Sequence, residues 1–300
     1  MDKGKLSVII PSRGEQFMPQ TVEDVFAKAK GPIEVWVVLD GYWPTVWPKE
    51  RANLMYIHRG APQGMRSAIN SGVSVARGEF LLKCDAHCAF DEGFDVKLLA
   101  DMEDDWVVVP RRKRLDAANW CIQDVGKPDI DYMYLSYPDD PQDFGGPGLN
   151  GKVWDSKNKD LTLKEVLIDD IASCQGSAWF MHRDYFYSLE LMDEEHYGTF
   201  WNECQEIFLK AWLSGGRCVV NKKTWYAHLH KGKTYGRGYH LASEELTKGA
   251  TFTKNWIYNR AWAKQTRPFS WFVEKFSPMP TWPGDWKEQL YGSDGEPWSK

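Results

Sequence analysis

Apolar runs of strand length alternate with segments of helical period over the first 110 residues. No other feature restricts the fold as much. LSVIIPS (6–12), IEVWVVLD (33–40), LMYIHRG (54–60), EFLLKCDAH (79–87) and WVVVP (106–110) read as strands. Between them, TVEDVFAKAK (21–30) and MRSAINSGVSVARG (65–78) carry apolar and small residues at helical spacing. Strands that alternate with helices build an α/β fold around a mostly parallel sheet, with the ligand at the carboxyl ends of the strands. Three hundred residues suffice for one large domain of this kind or two small ones.

The carboxyl end of the fourth strand carries the most distinctive chemistry. Asp85 and His87 stand two apart, so on an extended chain both project from one face. A carboxylate beside an imidazole makes two-thirds of a divalent-metal site; the plainer alternative is a turn aspartate and a satisfied histidine. Cys84 and Cys88 flank the pair, but no second C-x-x-C completes a zinc site. The six cysteines follow no disulfide framework, which fits free thiols in a reducing cytoplasm. The start, MDKGKLSVIIPSRG, lacks the apolar region and cleavage site of a signal peptide. No run reaches the ~20 apolar residues of a membrane helix.

Charge is unevenly spread. Between 217 and 267 stand Arg217, Lys222, Lys223, Lys231, Lys233, Arg237, Lys248, Lys254, Arg260, Lys264 and Arg267, opposed only by Glu244 and Glu245. Tyr226, Tyr235, Tyr239, Trp256, Tyr258, Trp262 and Trp271 interleave with them. This asymmetry suggests a polyanionic partner. The stretch 137–160, rich in Pro, Gly and Asp, reads as a long surface loop of functional kind.

Four ordered motifs carry a family resemblance. SVIIPS, VVLDG, A-I-N-x-G (68–72) and the block ending in DAHC resemble the nucleotide-sugar glycosyltransferases of the GT-A fold. Family 2 enzymes usually end this block in D-x-D, whereas DAHC resembles the D-S-H-C of polypeptide N-acetylgalactosaminyltransferases. QGSAWFMHRDYF (175–186) and WNECQEIFLKAWLSGGRCVVNKKTWYAHLHK (201–231) resemble later segments of that group. The likeness implies a GT-A domain over 1–231, with 232–300 as a basic, aromatic extension that packs on the core and supplies a lid or acceptor surface.

It also implies a site. Asp85, His87 and His228 would hold the metal, with His230 as the alternative third ligand; imidazole makes Mn²⁺ a better fit than Mg²⁺. The UDP-sugar donor would meet Pro11, Ser12 and Arg13 at its base, Asp40 at uracil or ribose, and Arg66 at ribose and diphosphate. For Asp40 the alternative is a carboxylate capping the turn before Gly41. Lys231, Lys233 or Arg237 would close on the diphosphate from a glycine-broken segment, the alternative being a plain solvated loop, while Trp179 and Trp201 would wall the sugar and acceptor or else pack in the core. Inverting family 2 enzymes place a base aspartate where this chain has Cys204, and a thiol is a poor oxygen base. Retention of configuration is therefore the expectation, with Glu203 orienting sugar or acceptor hydroxyls; a slip of one residue would make Glu203 the base. For the acceptor, the basic-aromatic stretch favours a hydroxymethylated base in DNA, as in phage DNA modification. A polypeptide hydroxyl, a cell-envelope glycan, and a catalytically inactive nucleotide-sugar binder are the alternatives.

Overall fold

The computed structural model describes residues 1–138, 148–236 and 239–292. Residues 139–147 of the expected loop, and Arg237 and the Lys233 side chain of the expected lid, lie outside that set. Strand β1 (Asp2–Ser12) enters the core, and α1 (Met18–Lys28) returns the chain to β2 (Ile33–Asp40) and β3 (Leu54–Arg59). Helix α2 (Met65–Val75) leads into β4 (Gly78–Cys84), which is followed by β5 (Cys88–Phe90), α3 (Phe94–Leu99) and β6 (Trp106–Asp116). Next come β7 (Cys121–Ile122), β8 (Met133–Leu135), β9 (Gly151–Val153), α4 (Asp155–Lys159), α5 (Leu161–Glu165) and β10 (Ile168–Asp170). Strand β11 (Ala178–His182), α6 (Arg183–Ser188), α7 (Glu194–Tyr197), α8 (Glu203–Leu213) and β12 (Arg217–His228) complete the sheet. Four helices follow: α9 (Gly232–Tyr235), α10 (Ser243–Asn259), α11 (Phe269–Phe276) and α12 (Trp286–Tyr291).

The main sheet runs β10-β12-β6-β11-β4-β1-β2-β3, with β5 on β12 and β7 on β6. Strands β4, β1, β2 and β3 are parallel, and so are β6 and β12; β11 lies antiparallel between β4 and β6. The α/β reading with a mostly parallel sheet therefore holds. Apolar strands alternating with helices bury one continuous core, from Val8, Ile10 and Val37 to Phe180, Val219 and Phe208. Helix α2 seats closely on β1 because position 72 is glycine: a Cβ there would stand 2.6 Å from Ile9 Cγ2.

Three local expectations need correction. Strand β6 continues to Asp116, because Arg111 and Lys113 on one face pair with Asp131 and Asp129. Residues 137–160 are not all surface loop, since β9 and α4 lie there and Leu149 and Trp154 are buried in the core. Asp85 to His87 is a turn between β4 and β5 rather than a strand end, since the chain there leaves its pairing with β1 and β11 to pair with β12.

Candidate active site and metal centre

The turn after β4 brings Asp85 and His87 together, and sheet register supplies a third candidate ligand. Strand β5 pairs antiparallel with β12 so that His228 stands opposite Cys88. Ligand atoms of Asp85, His87 and His228 all lie within 4.8 Å of one another. His228 Nε2 is 3.2 Å from Asp85 Oδ2 and 3.1 Å from His87 Nε2, while His87 Nε2 is 3.8 Å from Asp85 Oδ2. Ligands about 2.1 Å from a shared ion at right angles stand roughly 3 Å apart, so the residues fit a divalent cation. Burial pushes the His228 imidazole down to about 4, which leaves it neutral at neutral pH, as a ligand must be. Of the two candidates for third ligand, His228 joins the cluster and the exposed His230 does not.

Sequence reasoning missed Glu15. Its Oε2 lies 3.2 Å from His87 Nδ1, and its other oxygen accepts from Lys231. A carboxylate on Nδ1 fixes the tautomer that leaves Nε2 free for a metal. Its signal was an acid just past the first strand, at the end of the sheet where ligands bind.

Lys83 was missed too. It is a charged residue inside the apolar run EFLLKC, fully buried. Its ammonium donates to Asp85 Oδ1 at 2.9 Å, Gly176 O at 2.6 Å and Glu203 Oε2 at 3.3 Å. Burial alone would raise the Asp85 carboxyl; the Lys83 ammonium and the His228 hydrogen bond overrule it and hold the group well below its usual range. Glu203 also accepts from Trp179 Nε1 at 2.7 Å. For Glu203 burial wins and its carboxyl is shifted upward. Position 176 must be glycine: its φ is +79°, and a Cβ would stand 2.7 Å from Glu203 Oε2.

These groups line a cleft of about 830 Å³. Of the residues singled out in the sequence, Pro11, Ser12, Arg13, Asp40, Asp85, His87, Trp201, Glu203, Cys204, His228 and Lys231 border it. Arg13 stacks on Tyr239, its guanidinium carbon 4.3 Å from the ring centroid. Asp40 borders the cleft, but its oxygens accept from Gln63 N (2.8 Å), Gly64 N (2.9 Å) and Arg59 Nη1 (3.2 Å), so it also ties down the loop ahead of α2. Cys204 Sγ is 3.2 Å from Cys174 Sγ, and burial pushes its thiol well above the ordinary value.

Two residues stand elsewhere. Arg66 is fully buried behind the cleft wall, pairing with Glu206, donating to Trp201 O at 2.6 and 3.2 Å, and lying 4.5 Å over Tyr197. It therefore supports the wall and is not available to ribose or phosphate. Trp179 is likewise fully buried and acts on the cleft only through Glu203.

The cations between 217 and 267 are largely engaged within the chain. Arg217 pairs with Asp170, Lys223 with Asp101, Lys231 with Glu15 and Lys264 with Glu190. Lys222, Lys248, Lys254 and Arg267 donate to the oxygens of Leu163, Glu195, Pro138 and Gly215, among others. No helix among the described residues is long and apolar enough to cross a membrane.

A curled, mostly parallel α/β sheet with a D-x-H turn at the end of β4 defines the GT-A class of nucleotide-sugar glycosyltransferases. The chain belongs to glycosyl transferase family 2, whose profile matches residues 7–189. Among solved structures it resembles GalNAc-T7 with UDP, GalNAc and Mn²⁺, at 17% identity and a TM-score of 0.65, over 91% of this chain and 56% of that one. It also resembles S. aureus TarS 1-349 in complex with UDP-GlcNAc, at 15% identity and a TM-score of 0.52, over 85% of this chain and 67% of that one. The chain thus spans little more than half the length of the first. No curated protein matches it in sequence.

Proposed function

We propose that the protein is a metal-dependent glycosyltransferase moving a sugar from a UDP-sugar to an acceptor hydroxyl. The observation that carries this reading is the convergence of Asp85, His87 and His228 in the cleft of a family 2 domain. A bound divalent ion, Mn²⁺ in preference to Mg²⁺, offsets the negative charge that develops on the leaving diphosphate. Glu15 orients His87, Lys83 keeps Asp85 anionic, and Lys231 brings a cation to the cleft from the segment after β12. Pro11, Ser12, Arg13 and Asp40 form the end that takes the nucleotide.

Transfer proceeds with retention in this reading. Cys204 occupies the position of a base aspartate, and its buried thiol ionises well above neutrality. Glu203 is held by Lys83 and Trp179 and serves to position groups rather than to take a proton. The C1–phosphate bond breaks, the acceptor oxygen bonds to C1 on the same face, and its proton passes to the departing phosphate.

The basic-aromatic stretch was the reason to favour DNA as acceptor. With those cations engaged inside the chain, that reason weakens, and the DAHC likeness makes a polypeptide hydroxyl the leading acceptor. Incubating the protein with Mn²⁺, UDP-sugars and a panel of peptides, glycans and hydroxymethylated DNA, read by mass spectrometry, tests both points. UDP release that stops on chelation, with a hexose or N-acetylhexosamine added to a peptide, is the expected result. Full activity in EDTA overturns the metal assignment, and glycosylated DNA restores the nucleic-acid reading.

A further inference from the structure

Strand β6 carries four consecutive cations, Arg111 to Arg114, and burial and partners separate one from the rest. Arg111 and Lys113 pair with Asp131 and Asp129, and Arg114 donates to Pro128 O at 3.0 Å. Arg112 points inward and is only 8% exposed. Its one side-chain acceptor is Gln175 Oε1, and no carboxylate lies within 4.0 Å of it among the described residues. Asp131 borders the same space but gives both oxygens to Arg111. A guanidinium stays protonated at any working pH, and burying one without a counter-ion costs several kcal/mol. A fold that retains such a charge beside a cleft is poised to receive an anion.

The surroundings show where the anion would sit. A void of about 10 Å³, the space of roughly one oxygen atom, lies against Arg112, Gln175, Cys174 and Tyr226. Gln175 and Cys174 also line the main cleft, so the void and the cleft share a wall. In the sheet, β6 lies beyond β11 and β4 from the nucleotide end formed by β1 and β2. In the glycosyltransferase reading, a donor whose nucleotide meets β1 and β2 and whose diphosphate meets the candidate metal ligands after β4 would extend along the strand order toward this wall, with the acceptor beyond it.

We infer that Arg112 and Gln175 form an acceptor subsite for an oxyanion, so that the acceptor carries a carboxylate or a phosphate near its reacting hydroxyl. This rests on the glycosyltransferase reading proposed above. Gln175 turns aside, one oxygen of the anion enters the void, and a neutral amide carbonyl is exchanged for the missing counter-ion. The site selects acidic acceptors over neutral ones of the same shape.

The probes are methyl phosphate and acetate, each added to the UDP–Mn²⁺-bound protein at an ionic strength matched with sodium chloride. Saturable binding should raise the thermal midpoint by about 2 °C at tenfold excess over Kd. The stronger of the two identifies the acceptor anion as phosphate or carboxylate. Arg112→Met should lose the shift while its ligand-free midpoint stays level or rises, because an unpaired buried charge has been removed. Should that variant not fold, Gln175→Glu supplies an internal counter-ion and should likewise abolish the shift. No shift in the wild type, a shift that persists in either variant, or a lower ligand-free midpoint in a folded Arg112→Met overturns the inference. UDP–Mn²⁺ binding, followed by calorimetry, keeps the two readings apart. Its absence in the wild type sinks the glycosyltransferase reading, whereas its loss only in Arg112→Met makes the donor diphosphate the anion and overturns the acceptor assignment.

Discussion

At the residue scale the proposed metal centre depends on the side chains that surround its candidate ligands. Asp85→Asn or His87→Ala removes a candidate ligand, so transfer and donor hydrolysis should vanish. Circular dichroism should stay near wild type in both, while the thermal midpoint should hold in His87→Ala and fall in Asp85→Asn, which takes an anion from the buried Lys83. Glu15→Gln tests the outer contact. The amide no longer favours a proton on His87 Nδ1, and Mn²⁺ affinity should fall roughly 10–100-fold in titration calorimetry. An unchanged affinity would reduce Glu15 to a partner of Lys231. Cys204→Ala tests the proposal that transfer uses no protein base at this position: a general base contributes about 10²–10⁴-fold, so a loss within tenfold and an α-linked product by NMR support retention. A β-linked product would return the base role to this helix start.

At the scale of elements, α8 is buried along its whole length, although it carries Glu203, Glu206 and Lys210. Its charges are matched internally: Glu206 pairs with Arg66 and Lys210. Arg66→Met should therefore destabilise the protein by about 3–5 kcal/mol, since it leaves Glu206 short of a partner inside the core. Any fall in activity should follow the loss of fold measured by denaturant unfolding. Donor affinity reduced at unchanged stability would instead restore Arg66 as a ligand-binding residue. The far end of α8 is tied by the C-terminal segment, where Thr266 N and Arg267 N donate to Leu213 O at 2.8 and 2.9 Å. The strands and α2 were legible because period and small residues reveal them locally. The direction of Arg66 was not, because a helix-opening arginine reads the same whether it meets phosphate or a buried glutamate from 140 residues away.

For the whole molecule, charge and core continue past the family match. Trp256, Ile257, Phe269, Phe272 and Phe276 belong to the same hydrophobic cluster as the sheet, and Trp212 of α8 packs against Trp271 and Phe276. A chain ended at residue 231 should expose this face and aggregate or bind a hydrophobic dye; a soluble, cooperatively folding product would show that 1–231 is self-sufficient. Reversing Lys248 and Lys264 together removes contacts to Glu195 O and Glu190 at an exposed surface. The cost should be within about 1 kcal/mol, and DNA should cause no mobility shift in either protein. A salt-sensitive complex with DNA that the reversal abolishes would contradict this and mark a real polyanion surface.

The sequence alone determined the α/β alternation, the D-x-H motif and the candidates for the third ligand, because period, spacing and ordered motifs are properties of short stretches. Tertiary structure decided the rest. The register between β5 and β12 chose His228 over His230, and the packing of α8 took Arg66 out of the cleft. Acids and backbone oxygens from elsewhere in the fold engage most of the described 217–267 cations. Only there did Glu15, Lys83 and Arg112, with no carboxylate beside it among the described residues, acquire meaning. A charge means one thing in solution and another in the core, and which it meets depends on contacts between residues far apart in the chain.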